Sequence, residues 1–301
     1  MLQNYKIFWS FHEKLNYFEY LCSQNMDYKI VHIDETDSTN GWLRSFMSKE
    51  FRNLGTVAQN SETRIPLFPD SLDQKSSLAV VAEYQTAGRG CGSNSWESER
   101  GKNLTFSVLL HPTEIPADSQ FRISEAVSVA ICETLERCFR PLSPADSSPD
   151  SGEQEVTIKW PNDIYVGDRK ICGILIENQL RGRLISDSIV GIGLNVNQTE
   201  FRSDAPNPVS VAQITGHKED REALLQTFFQ RLSATMEWTP EALMEAYRQR
   251  LYRREGYHPF RDSQGAFEGK VMNVLEDGRL VLLDVEGKAR TYAFKEVQFV
   301  V

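Results

Sequence analysis

KWPNDIYVGDRKICGILIE (159–177) is the stretch whose reading decides the fold. Three β-branched, apolar runs, VTIKW (156–160), DIYV (163–166) and KICGILIEN (170–178), are separated only by Pro-Asn and by Gly-Asp-Arg, each built on turn formers. Gaps that short join antiparallel neighbours, so the segment predicts a meander of hairpins. Lys159, Asn162, Asp163, Arg169 and Lys170 crowd polar groups between these strands. Lys170 heads a strand that is otherwise almost wholly apolar. Two readings are open for it: a snorkelling lysine at a strand end, or a cation aimed into a pocket that takes an anion. Asp163 has the same duality, either capping the turn or serving a ligand.

Downstream, RLISDSIVGIGLNV (183–196) continues the meander past the turn RGR (181–183). Gly191 and Gly193 lie inside this strand, where glycine marks either tight packing or close approach of a ligand. Residues 219–254 predict two or three helices, including EALLQTFFQRLSATMEW and EALMEAYRQRLYRR. From about 264 the turns EDG and VEGK separate short alternating strands, the pattern of a small β-barrel.

Upstream, PLSPADSSPDSGEQE (141–155) reads as a solvated loop. Apolar residues at helical spacing predict a helix over about 120–140. NLTFSVLLH (103–111), LAVVAEYQ (78–85) and YKIVHI (28–33) read as strands. ETDSTN (35–40) supplies N-cap chemistry for a helix in NGWLRSFMSKE. The class is α+β: a mixed β-sheet flanked by helices over 26–255, then a small β-domain over 262–301. Residues 1–25 are dense in aromatics. They form either an amphipathic surface helix or a segment ahead of a translation start at Met26.

The 301 residues hold 40% hydrophobic and 25% charged residues, ordinary for a globular protein with a full core. Thirty-three basic and 42 acidic residues give a formal charge of −9, which argues against a nucleic-acid partner. No run approaches the roughly 20 apolar residues that span a bilayer. Five scattered cysteines without CxxC fit reduced thiols in a cytoplasm.

The remaining distinctive segment is QTAGRGCGSNSW (85–96), which follows a predicted strand. Gly88, Gly90 and Gly92 let the backbone approach an anion, and Arg89 adds a bidentate fork. A surface turn explains such a run equally well. It is neither a Walker loop nor a dinucleotide fingerprint, because GKS/GKT is absent and the flanking sequence reads as loop.

In this order, ETDSTN, AEYQTAGRGCGSNSW, KWPNDIYVGDRKICGILIE and GIGLNVN closely resemble the biotin–protein ligase family, over about Ile30–Asn197. The resemblance implies a class II synthetase-like catalytic fold with a C-terminal SH3-like barrel. It also implies a two-step reaction: biotin and Mg2+-ATP give biotinyl-5′-adenylate, then a lysine of a biotin carboxyl carrier domain takes the biotin. Ser38, Thr39, Asn40 and Gln85 would hold the ureido ring, although Ser38 and Thr39 also suit a helix cap. Gly88, Arg89, Gly90 and Cys91 would fold over the ligand, and Gly173, Gly191 and Gly193 would line the biotin site. Lys170 and Arg89 would join the biotin carboxylate to the α-phosphate in one cleft, with Asp163 near the incoming amine. Trp96, Lys159, Asn162 and Asn195 would serve ATP. Trp160 would help shape the adenine pocket.

Many members carry GRGR where this chain has Gly-Arg-Gly-Cys, so Cys91 cannot supply the second guanidinium. Weaker retention of the adenylate is the expected consequence. Magnesium would ride on phosphates and water, so no His/Cys metal cluster is expected. The partner implied is the carrier domain of acetyl-CoA carboxylase or a related carboxylase, with homodimerisation left open by free sheet edges. The competing readings are a lipoate–protein ligase or octanoyltransferase of the same architecture, an idle biotin binder, and a biotin-responsive repressor. Such repressors carry a helix-turn-helix ahead of the core, whereas about 30 residues that are not notably basic precede ETDSTN here.

Overall fold

Strand-forming and helix-forming runs alternate in the computed structural model, which describes residues 4–7, 15–22, 27–48, 77–92, 94–139, 155–203 and 207–300, with backbone alone up to Asp27. In chain order the elements begin with β1 (Asn4–Ile7), β2 (Leu15–Cys22), β3 (Asp27–Thr36), α1 (Thr39–Met47), β4 (Ser77–Gln85), β5 (Leu104–Leu110) and α2 (Phe121–Phe139). Then come β6 (Val156–Lys159), β7 (Asp163–Val166), β8 (Arg169–Arg181), β9 (Leu184–Leu194), α3 (Val211–Thr215), α4 (Arg221–Met236) and α5 (Pro240–Gln249). The last strands are β10 (His258–Asp262), β11 (Gly265–Val274), β12 (Leu280–Asp284), β13 (Ala289–Tyr292) and β14 (Gln298–Phe299). Two compact units result: Met1–Glu114 with Ile174–Ser203, and Ile115–Gly173 with Asp204–Val301.

In the first unit, β1, β2, β3, β4, β5 and β9 lie side by side in that order. β3 and β4 are parallel; the other pairs are antiparallel. A parallel pair needs a crossover, and α1 lies in it. Alternate residues of the sheet, Val31, Ile33, Leu78, Val80 and Ala82, meet Leu43 of α1 together with Leu109 and Ile189. Burying a side chain of this kind contributes about 1.5–3 kcal/mol. Trp42 and Phe46, stacked with centroids 5.8 Å apart, cover the edge of this core. The helix starts where the sequence predicts, because Ser38 is extended and its hydroxyl accepts from Gly41 N at 3.0 Å.

In the second unit, β6, β7 and the first residues of β8 form the expected antiparallel meander. The tight turn before β8 places Gly167 at φ +56. The outer edge of β6 is closed by the chain after α5: Ile158 N donates to Arg250 O at 2.7 Å, and Tyr252 N to Ile158 O at 2.9 Å. Main-chain groups that would otherwise invite another strand are thereby paired. α2 buries Ile123, Val127, Ala130, Ile131 and Leu135. The Thr235 hydroxyl of α4 donates to Ala126 O of α2 at 3.1 Å.

The C-terminal sheet is antiparallel throughout, in the order β13-β12-β11-β10-β14. Trp160 Nε1 donates to Gly278 O at 2.8 Å, and Arg248 donates twice to Val274 O. Gly278 is required: φ is +84, and a Cβ would stand 2.6 Å from the Phe121 ring.

Three expectations change. The helix reading of the N-terminal segment is overturned where it is described, since Asn4–Ile7 and Leu15–Cys22 are strands that extend the sheet from β3. Aromatic-rich runs favour pleated structure, and the outer edge of β3 offers unpaired main-chain groups to them. The C-terminal sheet begins at His258, ahead of 262, because β10 carries Pro259 and Asp262 and reads as loop from sequence. A short helix, α3, closed by Ser210 in a capping box, precedes those expected. The loop at 141–155 lies outside the described residues except for Glu155, as does Met26.

Candidate active site

The end of β3 turns through Asp37 and Ser38 into α1, which sets Thr39 and Asn40 in the first turn beside the end of β4. Thr39 N donates to Gln85 Oε1 at 2.7 Å, and Thr39 Oγ1 lies 3.1 Å from the same oxygen. Ser107, fully buried in the middle of β5, has its hydroxyl oxygen 2.6 Å from both Thr39 Oγ1 and Asn40 Oδ1. The other end of the Asn40 amide donates from Nδ2 to Glu177 Oε2 at 2.9 Å and to Leu175 O at 3.4 Å. Arg44, one turn further along α1, pairs with Glu177 at 2.5 Å. Asn40 is 5% exposed, and its amide is committed to protein groups on both sides.

Gly191 and Gly193 serve this arrangement through the side chains they lack. A Cβ on Gly191 would sit 2.3 Å from Asn40 Oδ1. One on Gly193 would sit 2.3 Å from Cε2 of the Trp96 ring. Both glycines therefore make room for neighbouring side chains, which favours the packing reading for each.

The glycine-rich segment folds back on itself. Trp96 N donates to Gly88 O at 3.0 Å and Gly90 N to Asn94 O at 2.7 Å, with Arg89 bridged to Ser95. Its base is anchored by Thr86 N to Thr36 O and Ala87 N to Asp37 O, at 2.9 and 3.0 Å. A Cβ on Gly88 would stand 2.6 Å from Trp96 O and 3.1 Å from Gln85 Nε2. Arg89 is exposed and, among the described residues, forms no ion pair. Cys91 is partly buried with a free thiol. Asn195, just past β9, is buried, and the neighbouring Val196 N donates to Asn103 Oδ1 at 2.9 Å.

The second unit assembles a charged group on the meander. Lys170 Nζ stands 2.7 Å from Asp163 Oδ2, with both side chains about one-third exposed (29% and 34%). The main chain of Lys170 is held on both flanks. It opposes Tyr165 of β7, while Lys170 N donates to Asn207 O at 2.8 Å and Val209 N to Lys170 O at 3.0 Å. Lys159 Nζ donates to the Tyr165 hydroxyl at 3.1 Å and lies 4.8 Å from the centre of that ring. Burial pulls the Lys159 ammonium below its usual range; the Lys170 charge adds to this, and Asp163 opposes it. Asn162 donates weakly to Ser124 Oγ at 3.4 Å, and Gly173 is partly buried further along β8. Trp160 is structural, 6% exposed and bonded to Gly278 O. Among the described residues no three His, Cys, Asp or Glu side chains cluster as a metal site.

Each unit thus brings together its own share of the expected residues. The first joins Ser38, Thr39, Asn40, Gln85 and Gly191, with Gly88 and Trp96 in the adjoining loop and Gly193 of β9 beneath the Trp96 ring. The second joins Lys159, Asp163 and Lys170. Sequence reasoning missed Ser107 and Glu177. Each had a signal: Ser107 is a polar residue inside the apolar run LTFSVLL, and Glu177 is the acid closing KICGILIE.

Polar groups gather at a glycine-rich turn in the first unit and at a lysine-headed strand in the second. Residues 56–195 match the model of the biotin/lipoate A/B protein ligase family. The chain is 31% identical over 226 residues to the bifunctional ligase/repressor BirA of Bacillus spizizenii, covering 71% of this chain and 64% of that protein. It is 30% identical over 153 residues to the biotin–[acetyl-CoA-carboxylase] ligase of Paracoccus denitrificans, covering 50% of this chain and 58% of that one. The chain spans less than two thirds of the length of these relatives. In fold it resembles the biotin protein ligase of Aquifex aeolicus in complex with biotin and ATP. That TM-score is 0.64 at 23% identity, covering 92% of this chain and 100% of the other.

Proposed function

We propose that this chain is a biotin–protein ligase that activates biotin with ATP and transfers it to a lysine of a biotin carboxyl carrier domain. The observation that carries the reading is the Lys170–Asp163 pair, a cation and a carboxylate 2.7 Å apart on adjacent strands, the Lys170 main chain being held on both flanks. In the first step a biotin carboxylate oxygen bonds to the α-phosphorus of ATP, and the bond from that phosphorus to the α,β-bridging oxygen breaks, releasing pyrophosphate. Two anions must meet, so a fixed cation is needed to offset their charge as the new bond forms. Lys170 takes that role, and Arg89, exposed on the glycine loop, holds phosphate or carboxylate as a bidentate fork.

In the second step the carrier's lysine amine attacks the carbonyl carbon of the mixed anhydride, and AMP leaves. Asp163 accepts or orients the amine proton. Thr39 and Gln85 present a short acceptor and donor suited to a cyclic urea. Trp96, Lys159, Asn162 and Asn195 are assigned to the nucleotide, and Cys91 replaces an arginine over the intermediate. ATP enters as its Mg2+ complex, the ion being carried by phosphate oxygens and water. A cytosolic setting is supported by free thiols at Cys91, Cys132, Cys138 and Cys172. No helix among the described residues is long and apolar enough to cross a membrane.

The family's breadth keeps lipoate as the competing acid. Incubation with ATP, a carboxylase carrier domain, and either biotin or lipoate separates the two. A mass increase on the carrier of one biotin residue is expected; modification by lipoate alone overturns the proposal.

A further inference from the structure

The hydrogen-bonded chain Glu177–Asn40–Ser107–Thr39–Gln85 has only one consistent placement of its hydrogens. Glu177 Oε2 and Leu175 O are acceptors, so both hydrogens of Asn40 Nδ2 point to them, and Asn40 Oδ1 faces Ser107. That oxygen has no hydrogen to give. The 2.6 Å contact between Ser107 Oγ and Asn40 Oδ1 therefore uses the single hydroxyl hydrogen of Ser107. Ser107 Oγ also lies 2.6 Å from Thr39 Oγ1, and an oxygen pair that close needs a hydrogen between. The Thr39 hydroxyl supplies it, in preference to its longer 3.1 Å approach to Gln85 Oε1, an oxygen that the Thr39 N–H already engages at 2.7 Å. At the far end, Thr39 N–H occupies Gln85 Oε1 at 2.7 Å, which fixes the glutamine amide with Nε2 toward Gly88.

We propose that Glu177, acting through Asn40 and Ser107, polarises the ligand site so that Thr39 Oγ1 is solely an acceptor and Gln85 Nε2 solely a donor. This deepens the reading given above, on which it rests, by assigning specificity to residues that need not touch the ligand. Glu177 and Ser107 are positioning residues. A ligand ring recognised here must offer an N–H to Thr39 and a carbonyl oxygen to Gln85, as a cyclic urea does. A ring with oxygen in place of that N–H puts two lone pairs face to face. A site built around one such donor rejects the analogue lacking it far more strongly than an apolar pocket rejects a missing methylene. Burial makes the polarity hard to reverse, since Ser107 is wholly inaccessible and Thr39 is 3% exposed.

The test is calorimetric titration of the full-length protein with biotin and with its cyclic-carbamate analogue, in which one ring N–H is replaced by oxygen. The wild type should bind biotin at least about a hundredfold more tightly. In Ser107→Ala the Thr39 hydroxyl loses its acceptor and becomes free to donate, so this ratio should shrink by roughly tenfold or more, mainly through tighter carbamate binding. A merely structural role for Ser107 would weaken both ligands equally and leave the ratio unchanged, which overturns the proposal. Should Ser107→Ala not fold, Glu177→Gln, which removes the fixed acceptor for Asn40, must move the ratio in the same direction; no movement overturns the proposal as well. Because the readout is binding, absence of biotin-dependent pyrophosphate exchange would remove the ligase reading while leaving this one decidable.

Discussion

Lys170 Nζ and Asp163 Oδ2 lie 2.7 Å apart at the start of β8, where the Lys170 main chain is bonded to residues 207–209 on one flank and opposes Tyr165 on the other. A pair about one-third exposed adds little to stability, at most about 1 kcal/mol. Its value lies in fixing where the ammonium points. If Asp163 serves the incoming amine, Asp163→Asn separates the two half-reactions. Biotin-dependent pyrophosphate exchange should stay within about threefold of wild type. Transfer from isolated adenylate to the carrier should slow by roughly a hundredfold, the usual worth of a general base. Equal loss in both steps would refute the assignment.

The sequence resemblance sets Cys91 against an arginine of many biotin–protein ligases, and it presents a partly buried free thiol. If the loop covers the adenylate as proposed, Cys91→Arg adds a cation beside that anion. Escape of biotinyl-adenylate, followed by trapping with excess unlabelled biotin, should slow by about tenfold, equivalent to about 1.4 kcal/mol. Unchanged escape would show that the loop retains the intermediate by other means.

Gly193→Ala places a Cβ where only 2.3 Å separates it from the Trp96 ring. The indole must move, at an overpacking cost of about 1–3 kcal/mol. The KM for ATP should rise by roughly tenfold if Trp96 serves the nucleotide, with a smaller change for biotin. An unaffected KM for ATP would restrict Trp96 to packing.

Glu125 on α2 is 1% exposed, and neither carboxylate oxygen has a hydrogen-bond partner. Burial lifts its carboxyl from 4.5 to about 7, with the charges of Arg248 and Arg122 partly opposing the rise. A carboxyl whose folded value exceeds its unfolded one is protonated by folding. Its neutral form therefore costs nothing extra below about pH 4.5, and stability falls as pH rises from there to about 7 and levels off beyond. Glu125→Gln, always neutral, should match wild type near pH 5 and be more stable at pH 8 by up to about 3 kcal/mol. Equilibrium urea unfolding at the two pH values checks this; an identical pH slope in both proteins would contradict it.

The sheet was legible because its strands are short, apolar and bounded by strong turn formers, as in DIYV-Gly-Asp-Arg. Ser38 was legible as a cap from the residue types around it. Less visible were features that depend on distant partners. Nothing in the local pattern at 207–209 marks it as the clamp on Lys170, and the contact of Gly193 with Trp96 joins residues almost a hundred positions apart. The N-terminal aromatics misled for a related reason: their strand character is set by the open edge of β3, a tertiary feature.

The central claim is that Lys170 carries the charge of the first bond-forming step. Biotin-dependent exchange of radiolabelled pyrophosphate into ATP measures that step alone, in wild type and in Lys170→Ala of equal thermal stability. Robust exchange that requires biotin, reduced by at least about a hundredfold in the variant, is the predicted result. Exchange that persists undiminished without the Lys170 ammonium would contradict it.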